Sequence, residues 1–205
     1  MNSINRLTAR IAATYSTCMS YEDIGTATVL SDKGCLNRIG FKTAAARPHL
    51  FRFEFRDELA SDDRTYIVCV NQQGAHCTDY DFKGAADKPL SQAVAALYGI
   101  SKGASGLTST LIFEELQGFV EKRIVDLEFT ELSETRIRGL NCYLLRAAAD
   151  QILVCGKRDS LIRKAQVCIP THPGKSILYE VDPRINSSIA PDVFSWTAMN
   201  RLMPS

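Results

Sequence analysis

Three histidines and seven cysteines hold most of the reactive chemistry this 205-residue chain could offer. His76 adjoins Cys77, the composition of an activated thiol. Neighbours on a strand project to opposite faces, however, and cannot hydrogen-bond each other. Among Cys18, Cys35, Cys69, Cys77, Cys142, Cys155 and Cys168 there is no CxxC pair and no accompanying HxxxH, so no metal or other cofactor is expected. Cys69, Cys155 and Cys168 sit inside apolar runs, where a thiol behaves as a small core residue. Pro173-Gly-Lys-Ser176 has the ending of a phosphate-binding loop, but the first glycine of that motif would fall on Ile169, so the cradle cannot be built. Without a nucleophile, base or metal set, binding is expected rather than catalysis.

The residues best suited to binding lie between Phe41 and Arg56. Phe51, Phe53 and Phe55 alternate with Arg52, Glu54 and Arg56, the period of a strand with one buried and one wet face. Three aromatics on one side are a large apolar load. They either pack as core or line a cavity for an apolar ligand; the alternation allows both. Arg47-Pro48 interrupts the run, since proline has no N–H for a ladder and holds its predecessor extended. Two antiparallel strands joined at or near Arg47–His49 are the result.

Around this hairpin the chain must supply a fold. Hydrophobic residues make up 45% and the net charge is +1, which suits one domain with a sizeable core, residues 1–205. No basic cluster interleaves with aromatics, so nucleic acid is excluded as a partner. No apolar run reaches the roughly 18–20 residues of a membrane span, and the N-terminus lacks a charged-then-apolar leader.

Ile4, Leu7, Ile11, Tyr15 and Cys18 are spaced for one face of a helix. Strands begin with Ile24, Thr26, Thr28 and Leu30, and Gln72-Gln73-Gly74 turns a hairpin, giving a meander of about five strands up to Tyr80. Cys69 and Cys77 are near mirror images about that turn, and in an oxidising compartment a cross-strand disulfide requires that they share a suitable ladder site, which the sequence leaves open. A helix follows, with Pro89 in its first turn, Leu90, Ala93, Val94, Leu97 and Tyr98 on one side, and Gly99 ending it. Ile100 to Gly106 reads as a flexible loop. A second short helix is expected from a Ser109 cap to Gly118. Strands resume with Val125, Leu127 and Phe129 alternating against Asp126, Glu128 and Thr130. They continue through Arg136–Arg146, Gln151–Gly156 and Leu161–Ile169.

Arg47-Pro48, Leu50, Phe51 and Phe53 form R-P-x-L-F-x-F, which resembles the signature of LolA-type lipoprotein carriers. Tyr15 to Gly25, Ile137 to Tyr143, Leu161 to Lys164 and the segment from Tyr179 to Phe194 resemble a LolA-like subfamily of bacterial envelope proteins. The resemblance implies an α+β fold: an open, curved antiparallel half-barrel of about ten strands, plugged by an N-terminal helix and a central helical insertion. It implies a cavity for lipid or lipoprotein acyl chains bounded by Phe51, Phe53, Phe55, Leu127 and Phe129. It also implies a lid in which Arg47 meets helices carrying Leu90, Val94, Leu97, Leu111 and Ile112. The implied setting is the periplasm, with an export signal already removed, or a lipid anchor in the envelope. The expected form is a monomer, with a membrane-associated protein as a further partner. An alternative within the same fold is an RseB-like regulatory sensor of lipids or lipoproteins, although those regulators carry a second domain. An enzyme is a distant third.

Overall fold

A computed structural model describes residues 2–61, 63–72, 74–77, 90–113 and 123–195. The chain opens with helix α1, Ser3–Thr17, whose first turn is capped by Asn2 accepting the Asn5 N–H at 2.9 Å. Leu7, Ile11 and Tyr15 form its buried stripe. Thr8, on the same side, satisfies its hydroxyl by donating to the Asn5 carbonyl.

Five strands follow: β1 (Ser20–Ser31), β2 (Gly34–Ala46), β3 (Leu50–Asp57), β4 (Tyr66–Asn71) and β5 (Gly74–Cys77). After helices α2 (Leu90–Ile100) and α3 (Gly106–Ile112) come β6 (Phe129–Ile137), β7 (Leu140–Ala147), β8 (Ile152–Gly156), β9 (Ile162–Cys168), β10 (Ser176–Val181) and the short β11 (Arg184–Ile185). Ten strands form one antiparallel path, in the order β5-β4-β3-β2-β1-β10-β9-β8-β7-β6, and β11 adds to β1. The sheet is an open, curved half-barrel.

This order explains the helical insertion. Two meanders meet at β1 and β10, which leaves β5 and β6, consecutive in the chain, at opposite edges of an unclosed sheet. The segment joining them must cross the open mouth, and a helix crossing there buries its apolar stripe against the concave face. α2 does so with Ala93, Val94 and Leu97, α3 with Leu107, Leu111 and Ile112. One continuous apolar cluster joins the three helices to the inner sides of both meanders.

Several boundaries differ from the sequence reading. α2 runs through Gly99 and stops at Lys102 and Gly103, whose φ of 52° and 88° end a helix by turning the backbone left-handed. The Gly103 N–H then donates to the Tyr98 carbonyl at 2.8 Å. Tyr98 is 42% exposed rather than buried with its stripe. The glycine-rich segment is no loose loop: Ser101, Ala104 and Ser105 are buried, and Tyr179 of β10 donates to the Gly103 carbonyl at 2.8 Å. α3 begins at Gly106, so Ser109 lies inside it, donating from Oγ to the Ser105 carbonyl. Pro89, Gly118 and the end of the hairpin beyond Cys77 lie outside the described residues. Ile124–Asp126 forms a 3-10 turn and β6 starts only at Phe129. Arg138 and Gly139, both at positive φ, turn β6 into β7, so Arg136–Arg146 is a hairpin, not one strand.

At Gly103 the insertion lies close against the sheet. A Cβ there would sit 2.6 Å from Ile177 Cδ1, on a backbone already left-handed. Gly103→Ala should therefore destabilise by about 2–3 kcal/mol, combining left-handed strain with overpacking. Urea melting of the two proteins checks this.

Candidate functional site

Cross-strand register arranges the concave face in rows. The first pairs Tyr21, Ala45, Phe51, Val70 and Ala75 from β1 to β5. The second pairs Asp23, Thr43, Phe53, Val68 and Cys77. The third pairs Gly25, Phe41, Phe55 and Tyr66. Phe53 stacks on Phe41 at 5.3 Å between centroids and lies 6.4 Å from Phe51 and 5.8 Å from Phe55. Tyr66 stacks on Phe55 at 5.2 Å, and Phe113, just past α3, meets Phe51 edge-on at 5.8 Å. Phe51 and Phe53 have no exposed surface.

Of the residues assigned to a cavity by sequence, Phe51, Phe53 and Phe55 form this ring ladder. Phe129, at the start of β6, and Leu127, two residues before it and partly buried, join the same cluster at the far edge of the sheet. Val94, Leu97, Leu111 and Ile112 are buried in it from the helices, while the Leu90 side chain lies outside the described residues. Phe41 and Phe113 belong to the ladder and were not singled out by sequence. Their signal was present, Phe41 in the register of the Phe51–Phe55 hairpin and Phe113 next after Leu111 and Ile112.

Arg47 stands at the turn between β2 and β3, where three polar contacts converge on its guanidinium. Nε donates to the Cys18 carbonyl at 2.8 Å, and Nη2 donates to Tyr15 O at 3.3 Å and Ile112 O at 2.6 Å. These carbonyls lie at the C-terminal ends of α1 and α3, where the last C=O groups lack intrahelical partners and partial negative charge collects. A rigid fork of donors suits two such ends at once. A second tie lies at the α2–α3 turn, where Lys102 Nζ meets Asp57 Oδ2 at 2.8 Å. That ion pair and the Asn37 amide hold the Asp57 carboxyl low, near 2.

The first two strands place a polar pair in the interior. Asp23 and Thr43 are both 3% exposed and face each other across β1 and β2. Tyr21 donates to Asp23 Oδ2 at 2.6 Å. Burial pushes the carboxyl up to about 6, against the smaller downward pull of the Thr43 and Tyr21 groups. The Thr43 hydroxyl and backbone lie near enough to Asp23 to lower it, yet Asp23 Oδ1 and Thr43 Oγ1 are both buried without a hydrogen bond of full geometry.

Because the ordinary value is 3.8, the folded chain keeps a proton between about pH 4 and 6 that the unfolded chain releases. Stability from this group is therefore highest below about pH 4 and falls as pH rises to 6, a change of about 3 kcal/mol. Asp57 acts in the opposite sense, but only as pH falls from about 4 towards 2, so the two windows separate. Asp23→Asn should flatten the slope between pH 4 and 6, which urea melts at pH 4.5 and 7.5 would show.

The ladder decides the pairing that the sequence left open between Cys69 and Cys77. Register sets Cys69 opposite His76 and Cys77 opposite Val68. Cys69 therefore faces outward and Cys77 inward, and no bridge can join them. Cys69 donates its thiol to the Phe194 carbonyl at 3.2 Å, and burial pushes it up to about 11. Burial likewise pushes Cys155 up to about 12. Both move away from the thiolate that a nucleophile needs. Among the described residues no cluster of His, Cys, Asp and Glu could hold a metal ion.

The convex face is not simply wet. Arg52 is 7% exposed, pairing with Glu54 at 2.7 Å and donating to the Val193 carbonyl at 3.0 Å. Phe194, at the end of the 3-10 turn Pro191–Phe194, packs there on Ala44 and Cys69. Beside it an open cleft of about 270 Å³ is lined by alternating charges, among them Glu22, Lys42, Glu54, Asp182 and Arg184.

No protein-family model and no curated protein matches the chain. Solved structures do. A LolA superfamily protein from Nitrosomonas europaea aligns over 97% of this chain and 100% of its own, at 7% identity and TM-score 0.43. The lipoprotein LppX of Mycobacterium tuberculosis aligns over 92% and 97%, at 11% identity and TM-score 0.47. MucB of Pseudomonas aeruginosa, in its complex with MucA, aligns over 96% of this chain at 11% identity and TM-score 0.48, and the chain spans 62% of its length. These are likenesses of fold.

Proposed function

We propose that this protein is a non-enzymatic binder or carrier of lipid or lipoprotein acyl chains, working as a single domain in the periplasm or anchored to the envelope. The chains would lie on the concave face against Phe51, Phe53, Phe55, Leu127 and Phe129. The lid would be the helices bearing Leu90, Val94, Leu97, Leu111 and Ile112.

The observation that supports this reading is the clasp at Arg47. Its guanidinium joins the ends of two helices above a ladder of aromatic rings. Such bonds exchange readily for bonds to water, with a net loss of only about 0.5–1.5 kcal/mol for a neutral pair and 1.5–3 for a charged one. Apolar contact is non-directional, so an acyl chain can replace helix side chains against the rings with little change in buried area. A closure built this way can open without dismantling the sheet.

Delipidated protein titrated with a fluorescent fatty acid tests the proposal. Saturable binding at micromolar concentration or tighter is expected. No binding in that range would overturn the carrier reading.

A further inference from the structure

We propose that Asp23 and Thr43 are the polar end of the interior site and take the ammonium head of a single-chain cationic amphiphile, such as a long-chain amine or an acylated molecule with a free amino group beside its chain. This rests on the reading that the concave face holds acyl chains, and it specifies which head goes with them.

Register supplies the first reason. Asp23 and Thr43 begin the row that continues through Phe53, Val68 and Cys77, so a polar pair adjoins an apolar track without a break. From β1 to β5 that track crosses four strand spacings, about 19 Å along the sheet, roughly the reach of a 12- to 16-carbon chain.

The orphaned atoms are the second. Buried polar groups are almost always hydrogen-bonded, and each exception calls for an explanation. Asp23 Oδ1 and Thr43 Oγ1, on facing residues, are two such exceptions in one place. The groups that face Asp23 are the Tyr21 hydroxyl on its own strand and Thr43 on β2, with Tyr15 of α1 packed on Tyr21 at 5.7 Å. None is a cation, and no ion pair to Asp23 forms among the described residues. An ammonium has three donors and no acceptor. It would satisfy both oxygens and neutralise the carboxylate, whereas a fatty-acid carboxylate would face a like charge.

Access is the third. Arg47 binds the Tyr15 and Cys18 carbonyls, Tyr15 packs on Tyr21, and Tyr21 donates to Asp23. The polar spot thus lies under the helix end that the clasp holds down, and lifting that end uncovers it.

Calorimetric titration at pH 7.5 with dodecylamine, dodecanol and dodecanoate, each below its aggregation limit, separates the possibilities. At that pH Asp23 is ionised and the amine protonated. The amine is expected to bind roughly ten- to a hundredfold more tightly than dodecanoate, the span of one charge-assisted hydrogen bond. Asp23→Asn should bring the two within about threefold of each other while dodecanol binding stays within that range. Thr43→Val, which keeps the shape and removes only a hydroxyl, should weaken the amine selectively by a smaller factor. If the three ligands bind the parent alike and neither substitution alters their order, the assignment of the head group fails and the carrier reading stands. If none binds the parent or Arg47→Leu, the carrier reading fails and this inference with it.

Discussion

Phe53→Ala should lower the stability of the protein by about 3–5 kcal/mol, the usual range for removing a fully buried phenylalanine. The ring has no exposed surface and touches Phe41, Phe51 and Phe55. Its neighbours come from β2 and β3, which are held by a regular ladder from Ile39–Asp57 to Ala46–Leu50 and cannot collapse into the space left behind. For a chain of this length such a loss lowers the melting temperature by roughly 10 °C. The same substitution should weaken fatty-acid binding less than it weakens folding, because in the closed form the ring is occupied by protein. A ring lining a standing cavity would show the reverse, a small loss of stability and a large loss of binding. Thermal melting and fatty-acid titration on one preparation distinguish the two.

Arg47→Leu should do the opposite. Leucine keeps apolar bulk at the turn but leaves the carbonyls of Tyr15, Cys18 and Ile112 without their donor. A charge-assisted hydrogen bond lost at a helix end is worth about 1.5–3 kcal/mol, which moves a closed-to-open ratio by roughly ten- to a hundredfold. Because the concave cluster and the ladders are untouched, most of that change should appear as faster ligand release rather than as a lower melting temperature. Stopped-flow displacement of a bound fluorescent fatty acid measures the release rate. A variant that binds and releases as the parent does would remove Arg47 from any gating role. Lys102, whose ion pair with Asp57 ties the α2–α3 turn from outside, would then be the next candidate.

The two substitutions lie only six positions apart, yet their roles were not equally legible. The alternation from Phe51 to Arg56 sets which rings share a face, because a strand's side-chain period of two is local geometry. The stripe Leu7, Ile11 and Tyr15 is readable for the same reason, as the period of a helix. Turn chemistry at Arg47-Pro48 and at Gly74 marks where β2 meets β3 and β4 meets β5, since missing donors and positive φ are properties of single residues.

What the chain alone could not settle depends on register and on distant cover. Cys69 and Cys77 look symmetric about their turn, yet the ladder pairs Cys69 with His76, and an offset of one residue exchanges inside for outside. Arg52 has the pattern of a solvent-facing residue, but the segment ending at Phe194, more than a hundred positions later, folds over it. Ile100 to Gly106 has the composition of a flexible loop. It is buried because the strand order leaves β5 and β6 at opposite edges, so their connection must cross the mouth and pack closely enough for Tyr179 to reach Gly103. The partners of Arg47 and the isolation of Asp23 have the same origin: each depends on which backbone or side-chain groups the completed sheet brings near, and local spacing carries no record of that. Composition and period thus determined the elements and their buried faces, while tertiary contact alone decided which polar groups close the mouth and which remain unsatisfied beneath it.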